Sequence, residues 1–155
     1  MAEHARNAVY DLVLLAHVLT ALGGLGAVVV AGAYALALHR AGPASEPVRR
    51  YYRPGVNWPG RVIFLVPVFG VVLVVMSHGD WKFSDAWLTA GLILWVFIAV
   101  VAEMVLWPAE RRIQAAVSDS SSVPSLRSQC LRVEAMAAVL TVALIVATVV
   151  MTAKP

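Results

Sequence analysis

Four long apolar stretches alternate with short polar stretches along the chain. The apolar stretches lie at residues 13–38, 62–76, 86–107 and 135–151. A helix of about 20 apolar residues crosses the hydrocarbon layer of a bilayer, so each stretch predicts a transmembrane helix. We expect these helices at about residues 9–38, 61–78, 86–107 and 133–153. The predicted fold class is all-α, a transmembrane four-helix bundle in which successive helices run up-down-up-down.

The composition supports this class. Of the 155 residues, 61% are hydrophobic and only 14% are charged, whereas about a quarter of the residues in a soluble domain are charged. We therefore interpret residues 1–155 as a single integral membrane domain. The net charge is only +3 and the arginines lie in loops, which argues against binding to nucleic acid. Cys130 is the only cysteine, so no intrachain disulfide is expected.

The first apolar stretch must be distinguished from a signal peptide, because small residues at 31–33 and 35–37 resemble cleavage sites. A signal peptide has a positively charged start and an apolar region of about 7 to 15 residues. Here the start contains Glu3, Arg6 and Asp11, and the apolar run is about twice too long. We expect a retained transmembrane helix.

The distribution of Lys and Arg predicts the orientation, because short loops rich in these residues stay in the cytoplasm. The opposite side has only Arg6, Lys82 and Lys154. Both termini are therefore expected on the outer side. The nine arginines of the two inner loops are Arg40, Arg49, Arg50, Arg53, Arg61, Arg111, Arg112, Arg127 and Arg132. Aromatic residues that favour membrane interfaces agree, with Tyr10, Trp81 and Trp87 predicted outside and Tyr51, Tyr52, Trp58 and Trp107 inside.

Small residues and one proline predict how the helices pack. Gly23, Ala27, Ala31 and Ala35 recur every four residues on the first helix, and such a stripe lets another helix approach closely. Pro67 removes a backbone hydrogen bond from the second helix and predicts a bend there.

The loop after the first helix is rich in Pro and Gly and is predicted to lie along the inner membrane surface. Residues 48–53 combine basic and aromatic side chains. We expect Arg49, Arg50 and Arg53 to contact anionic lipid headgroups.

His17 is the one ionisable residue predicted deep inside a helix, where such residues are costly and often functional. Three interpretations are open: a structural imidazole that hydrogen-bonds a neighbouring helix, with Thr148 as partner; a ligand to haem or copper; or a group that handles protons or quinone. No second histidine is predicted at the same depth, and Met76 and Met151 are predicted nearer the outer surface. The structural interpretation is therefore preferred.

Two other pairs of polar residues are candidates. Arg61 and Glu103 are predicted at the same level near the inner interface, where they would form a structural ion pair; a transport or proton site is the alternative. In the second loop, His78 and Asp80 are candidate ligands to a divalent metal together with His17. The dipeptide at residues 79–80 is also typical of a turn.

Four short motifs together resemble a bacterial family of small, predicted four-helix integral membrane proteins of unassigned function. That family is loosely akin to the membrane part of copper-resistance D type proteins. The resemblance implies the four-helix fold, and the looser kinship implies copper handling as the chemistry. The motifs are His17 followed by Gly23, Gly24 and Gly26; residues 81–88 (WKFSDAWL); Pro108 followed by Arg111 and Arg112; and residues 151–155 (MTAKP).

The sequence contains no Gly-rich phosphate loop, no zinc-protease helix motif and no set of Ser, His and carboxylate at one level, so a non-enzymatic role is predicted. The leading hypothesis is an accessory or assembly subunit of the bacterial inner (plasma) membrane. It would pack against other subunits of a larger complex, such as a respiratory one, or against copies of itself, without a cofactor. The alternative is a redox or metal-handling protein that binds haem b or copper through His17.

Overall fold

The computed structural model describes residues 2–41, 45–78, 80–118 and 123–153. Within these ranges every regular element is helical, which confirms the predicted all-α class. Four helices are long and apolar enough to cross a membrane: Ala8–Arg40, Trp58–Met76, Ala86–Ser118 and Leu126–Thr152. Gly79 and Lys154, which were used above to predict a turn and the orientation, lie outside the described residues, as does the end of the motif at 151–155.

The surface of the four membrane-crossing segments is apolar. One residue from each segment illustrates this: Leu12, Val75, Ile93 and Val142 are 66%, 67%, 64% and 61% exposed. Exposed apolar side chains on all sides of a helical bundle are expected where lipid surrounds the helices. This is the architecture of a multi-pass membrane protein.

The first helix, α1, runs from Ala2 to Ala41 and has 40 residues. It extends beyond the predicted range of 9–38 because no proline interrupts its polar ends. At 1.5 Å per residue it is about 60 Å long, about twice the thickness of the hydrocarbon layer. Both ends of α1 therefore extend past the hydrocarbon.

The predicted stripe of small residues on α1 packs against other helices of the same chain. Ala31 and Ala35 are buried, and a Cβ added to Gly23 would lie 3.6 Å from Cγ1 of Val62 in the second membrane-crossing segment. The closest approach to the last helix is made by Gly32, where an added Cβ would lie only 2.8 Å from Cβ of Ala137. Small residues thus bring α1 close to two neighbours.

The loop after α1 contains a short surface helix, α2 (Glu46–Tyr51). Val48 and Tyr52 are buried on one side of it, while Arg49 and Arg50 are exposed on the other. The next helix, α3 (Trp58–Arg61), is capped by Asn57, whose side chain accepts a hydrogen bond from the Gly60 N–H at 3.2 Å. Proline in the first turn of both helices favours their starts.

The second membrane-crossing segment continues from α3 through a 3₁₀ turn (Val62–Phe64) into α4 (Leu65–Met76). The tighter turn lies just before Pro67, which has no N–H to donate to the carbonyl of Ile63. The indole Nε1–H of Trp95 donates to that carbonyl instead, at 3.1 Å. The third segment is therefore tied to the second at the proline.

The third segment is a continuous helix with a change of register. It consists of α5 (Ala86–Val101), a π-helical turn (Ala102–Leu106) and α6 (Trp107–Ser118). The wide turn lies where Pro108 cannot donate to the Met104 carbonyl, an interruption of the α-helical ladder that π turns accommodate. The helix therefore continues well past residue 107, where the apolar stretch ends.

The last helix, α7 (Val123–Thr152), packs along α1 and α5. Its N-terminal part is joined to α1 by a chain of hydrogen bonds. His39 Nδ1 lies 3.0 Å from Oε1 of Glu134, and Nε of Arg127 donates to His39 Nε2 at 3.3 Å. The ring of His39 thus links a carboxylate to a guanidinium.

Candidate functional site

His17 lies on α1, and its half-buried side chain contacts α4. Its Nδ1 lies 2.9 Å from the backbone carbonyl of Val66. A carbonyl only accepts hydrogen bonds, so Nδ1 must carry the hydrogen, and when the ring is neutral Nε2 carries the lone pair. The predicted partner, Thr148, instead donates to the Leu144 carbonyl at 2.9 Å. The imidazole is therefore held by backbone.

Gly70 makes room for this arrangement. A Cβ added to Gly70 would lie 3.3 Å from Cε1 of His17, which is tighter than ordinary van der Waals contact. The glycine lies one helical turn beyond Val66, whose carbonyl binds the ring. The second membrane-crossing segment thus supplies both the acceptor and the space for the imidazole.

His17 lines a cavity of about 180 Å³. All four membrane-crossing segments contribute to its wall, which is mostly apolar. The side chains on the wall that contain nitrogen, oxygen or sulfur are His17, Trp95, Thr148, Met151 and Thr152, and Gly91 also lines the cavity. An apolar cavity of about 150 Å³ is large enough to bind benzene. The His17 cavity, as we call this space, can therefore hold one ring of a small organic molecule.

Met151 lies on the wall of the same cavity as His17, although the sequence placed it nearer the outer surface. Gly91 makes room for Met151, because a Cβ at position 91 would collide with the Met151 methyl group. The two threonine hydroxyls of the wall are already used within α7: Thr148 donates to Leu144 and Thr152 to Thr148. Their oxygens can still accept, as can His17 Nε2 and the Met151 sulfur, and of these acceptors the imidazole nitrogen is the most basic.

The other predicted metal ligands, His78 and Asp80, do not line this cavity. Both are exposed; His78 has a positive φ of 53°, and the Asp80 N–H bonds the Ser77 carbonyl at 3.2 Å. In the described part of the chain, no group of three or more His, Cys, Asp and Glu side chains could hold a metal ion. His17, His78 and Asp80 are not assembled into one such group.

Arg61 and Glu103 lie 3.6 Å apart, and both side chains are partly exposed. The guanidinium of Arg61 also lies over the ring of Trp107, 4.7 Å from the centroid. A partly exposed ion pair contributes about 0–1 kcal/mol. The pair links α3 to the π-helical turn and adds little stability of its own.

A second polar site, not predicted from the sequence, surrounds Glu110 on α6. Glu110 is only 3% exposed. Its Oε1 accepts hydrogen bonds from the Tyr51 hydroxyl at 2.9 Å and from Nδ2 of Asn57 at 3.1 Å, and Nδ2 also lies 3.3 Å from Oε2. The Tyr51 ring stacks on Tyr34 at 4.2 Å. Glu110 thus holds the loop after α1 against α6 through these hydrogen bonds.

The charge state of Tyr51 suits this role. Burial raises the pKa of the Tyr51 phenol well above its usual value, and the negative charge of Glu110 raises it further. The phenol therefore stays protonated and remains a hydrogen-bond donor to the carboxylate.

One signal in the sequence would have identified Glu110. Trp107, Glu110, Ile113 and Gln114 recur at spacings of three and four residues, and all four are buried in α6. This is the spacing of an amphipathic helix, with a carboxylate on its apolar face. The apolar stretch ends at Trp107, and Glu110 was not among the predicted site residues.

Comparison with family models, curated proteins and solved structures finds no match to this chain. The resemblance to small four-helix membrane proteins therefore stays a prediction. What the protein binds has to be inferred from the two polar sites themselves.

Proposed function

We propose that this chain is a non-enzymatic accessory protein of the bacterial inner membrane that binds the ring of a quinol-type lipid in the His17 cavity. The observation that carries the proposal is the bond from His17 Nδ1 to Val66, at 2.9 Å. It leaves Nε2 as an acceptor on a residue that lines an apolar space. A hydroxyl group on a lipophilic ring has the matching donor.

The size and lining of the cavity favour a single ring. At about 180 Å³ the cavity is close to one that binds benzene, and Val18, Leu22 and Leu25 of α1 extend its apolar wall. A quinol combines one six-membered ring, two hydroxyl groups and an apolar tail. The tail would follow the exposed leucines of α1 into lipid.

Haem and copper fit the same residues less well. A porphyrin joins four rings in one macrocycle, so it needs several times the space of a benzene-sized cavity unless the helices separate. Copper selects sulfur and imidazole ligands, and the wall offers one of each, His17 and Met151. In the described residues no further His, Cys, Asp or Glu groups assemble beside them.

The hydrogen bonds of the cavity wall support a non-enzymatic role. A hydroxyl nucleophile must be activated by a neighbouring base. The hydroxyls of Thr148 and Thr152 donate to carbonyls of α7, so neither donates to Nε2 of His17 as an activated nucleophile would. The accessory role, in which the protein delivers or holds quinol for a respiratory partner, follows from binding without an assembled catalytic group.

Binding of quinol is tested with the whole protein in lipid nanodiscs, using a short-tailed benzoquinol and the fluorescence of the tryptophans, one of which, Trp95, lines the cavity. His17→Phe keeps an aromatic ring but removes Nε2, and we expect it to weaken binding about tenfold, the factor for one lost hydrogen bond. Thr148→Val is the matched control. Its hydroxyl bonds its own helix, so binding should stay near that of the unmodified protein.

Two results would contradict the proposal. One is equal quinol binding by the unmodified protein and His17→Phe. The other is a Soret absorption band in the purified protein that His17→Phe abolishes, which would make haem the better account.

We also propose that the bundle runs up-down-up-down with both termini outside. The ring of Tyr10 near the start of α1 lies 6.2 Å from Trp81, in the loop before α5. Tyr34 near the end of α1 stacks on Tyr51 of α2 at 4.2 Å. These contacts support two opposite ends, of which the second carries the arginine-rich loops and should face the cytoplasm.

Single cysteines at two exposed serines test this orientation after Cys130→Ser removes the native thiol. In intact cells, a membrane-impermeant maleimide should label Ser84→Cys and not Ser45→Cys. Both should react after the cells are permeabilised, which controls for reactivity. Labelling of Ser45→Cys alone in intact cells would reverse the proposed orientation.

A further inference from the structure

Glu110 lies between two small pockets at the arginine-rich end of the bundle. Asn57, Trp107 and Glu110 line both of them. We call the larger of the two pockets, of about 40 Å³, the Glu110 chamber. One water needs about 10–15 Å³ of such volume, so the chamber has room for about three atoms of the size of a water molecule.

Among the described residues, no Lys, Arg or His side chain forms a salt bridge with the carboxylate in this chamber. Its hydrogen bonds come from a phenol and an amide, Tyr51 and Asn57, which are both neutral. Neither of the salt bridges between described residues involves Glu110. A buried carboxylate is costly unless a positive charge pairs with it, and the chamber is where such a charge can be placed.

Positive side chains border the same chamber. Arg61 and Arg111 are on its wall, together with the amide of Gln114. Arg111 is exposed, whereas Glu110 is buried. A group that enters the chamber therefore contacts a guanidinium near the surface and a carboxylate farther in, an arrangement that complements a zwitterion with a leading positive charge.

Exposed residues beside the chamber support a position at the level of lipid headgroups. Trp58, next to Asn57, is 71% exposed, and Val56 on the chamber wall is 55% exposed. Exposed tryptophan favours the membrane interface. The neighbouring helix α2 presents Arg49 and Arg50 on its exposed side, as expected beside phosphate groups.

We propose that the Glu110 chamber binds the head group of an aminophospholipid. The primary ammonium group donates to the Glu110 carboxylate, and the phosphate lies against Arg61 and Arg111. The two-carbon arm and its nitrogen comprise three heavy atoms, which matches the volume. A trimethylammonium head group has no N–H to donate and is larger, and a glycerol head group has no positive charge. This site is separate from the His17 cavity and does not depend on the function proposed for it.

The test uses the whole protein in mild detergent and counts bound lipids by native mass spectrometry. The probes are phosphatidylethanolamine, phosphatidylcholine and phosphatidylglycerol with the same acyl chains. We expect phosphatidylethanolamine to bind about tenfold more tightly than the other two, the factor for one charge-assisted hydrogen bond. Soluble phosphoethanolamine should not displace it at equal concentration, because the acyl chains also contact the apolar helices.

Two variants assign the selectivity to the chamber. Glu110→Gln keeps an acceptor for Tyr51 and Asn57 but removes the charge, and it should bind all three lipids about equally. Glu134→Gln is the matched control, because Glu134 lies 3.0 Å from His39 and does not line the chamber. This variant should keep the preference for phosphatidylethanolamine.

Three outcomes would overturn the proposal. In the unmodified protein, phosphatidylcholine or phosphatidylglycerol could bind as tightly as phosphatidylethanolamine, a result that does not depend on any variant folding. Glu110→Gln could retain the full preference. Soluble phosphoethanolamine could compete equally, which would identify a free amine and not a lipid as the ligand.

Discussion

Replacing Glu110 by alanine is expected to lower the free energy of unfolding by about 3 kcal/mol. The change removes the acceptor for the Tyr51 hydroxyl at 2.9 Å and for Asn57 Nδ2 at 3.1 Å. Each buried donor left without a partner costs about 1–3 kcal/mol. The loss should appear in denaturation of the protein by SDS in mixed micelles, monitored by circular dichroism.

The control for this prediction is Glu103→Ala. The Glu103 side chain is 44% exposed and its partner, Arg61, lies 3.6 Å away, so its loss should cost about 0–1 kcal/mol. Glu110→Gln should fall between the two, because the amide oxygen still accepts. If Glu110→Ala destabilised the protein no more than Glu103→Ala, the hydrogen bonds around Glu110 would not fasten the loop to the bundle.

Replacing Trp95 by phenylalanine is the other change with a large expected effect. It removes the indole N–H that donates to the Ile63 carbonyl at 3.1 Å, where Pro67 provides no backbone donor. The lost hydrogen bond and the smaller ring together should cost about 2–3 kcal/mol. The same SDS denaturation measures this loss.

A double-mutant cycle isolates the hydrogen bond from the change in ring size. Pro67→Ala restores an N–H that can donate to Ile63. We therefore expect Trp95→Phe to cost about 1 kcal/mol less in the Pro67→Ala background. Equal costs in both backgrounds would show that Trp95 stabilises the protein by packing alone.

The four membrane-crossing helices could be predicted because apolar length is a property of each segment alone. The stretch at 62–76 coincides with the 3₁₀ turn plus α4, and the stretch at 86–107 ends one residue after α5 and the π-helical turn. The bounds were less predictable at polar ends. α6 continues to Ser118 because the bundle buries one face of it. The only sign of this burial in the sequence is the helical spacing of its apolar residues.

The candidate site was predictable only in part. His17 stands out because an imidazole within an apolar stretch is rare. Its partner could not be predicted, since the Val66 carbonyl is a backbone group that any residue would supply. The role of Trp95 was hidden for the same reason, because its acceptor is also a backbone carbonyl.

The inner site depends on tertiary contacts that the sequence does not indicate. Glu110 lies 59 positions after Tyr51 and 53 positions after Asn57, the two residues that donate hydrogen bonds to it. Each residue alone is typical of a solvated loop or helix end. α2 and α3 pack on α1, which places Tyr51 and Asn57 within hydrogen-bond distance of Glu110, and only then does the carboxylate become buried.

The central claim is that His17 offers Nε2 to a hydroxyl group in the apolar cavity. The most direct measurement is ¹⁵N NMR of the imidazole in histidine-labelled protein, assigned with His17→Phe and recorded before and after addition of the short-tailed benzoquinol. We predict a neutral ring with hydrogen on Nδ1 and a bare Nε2, whose resonance shifts with the quinol and not with its dimethyl ether. Hydrogen on Nε2, or a resonance that neither compound moves, would contradict the account.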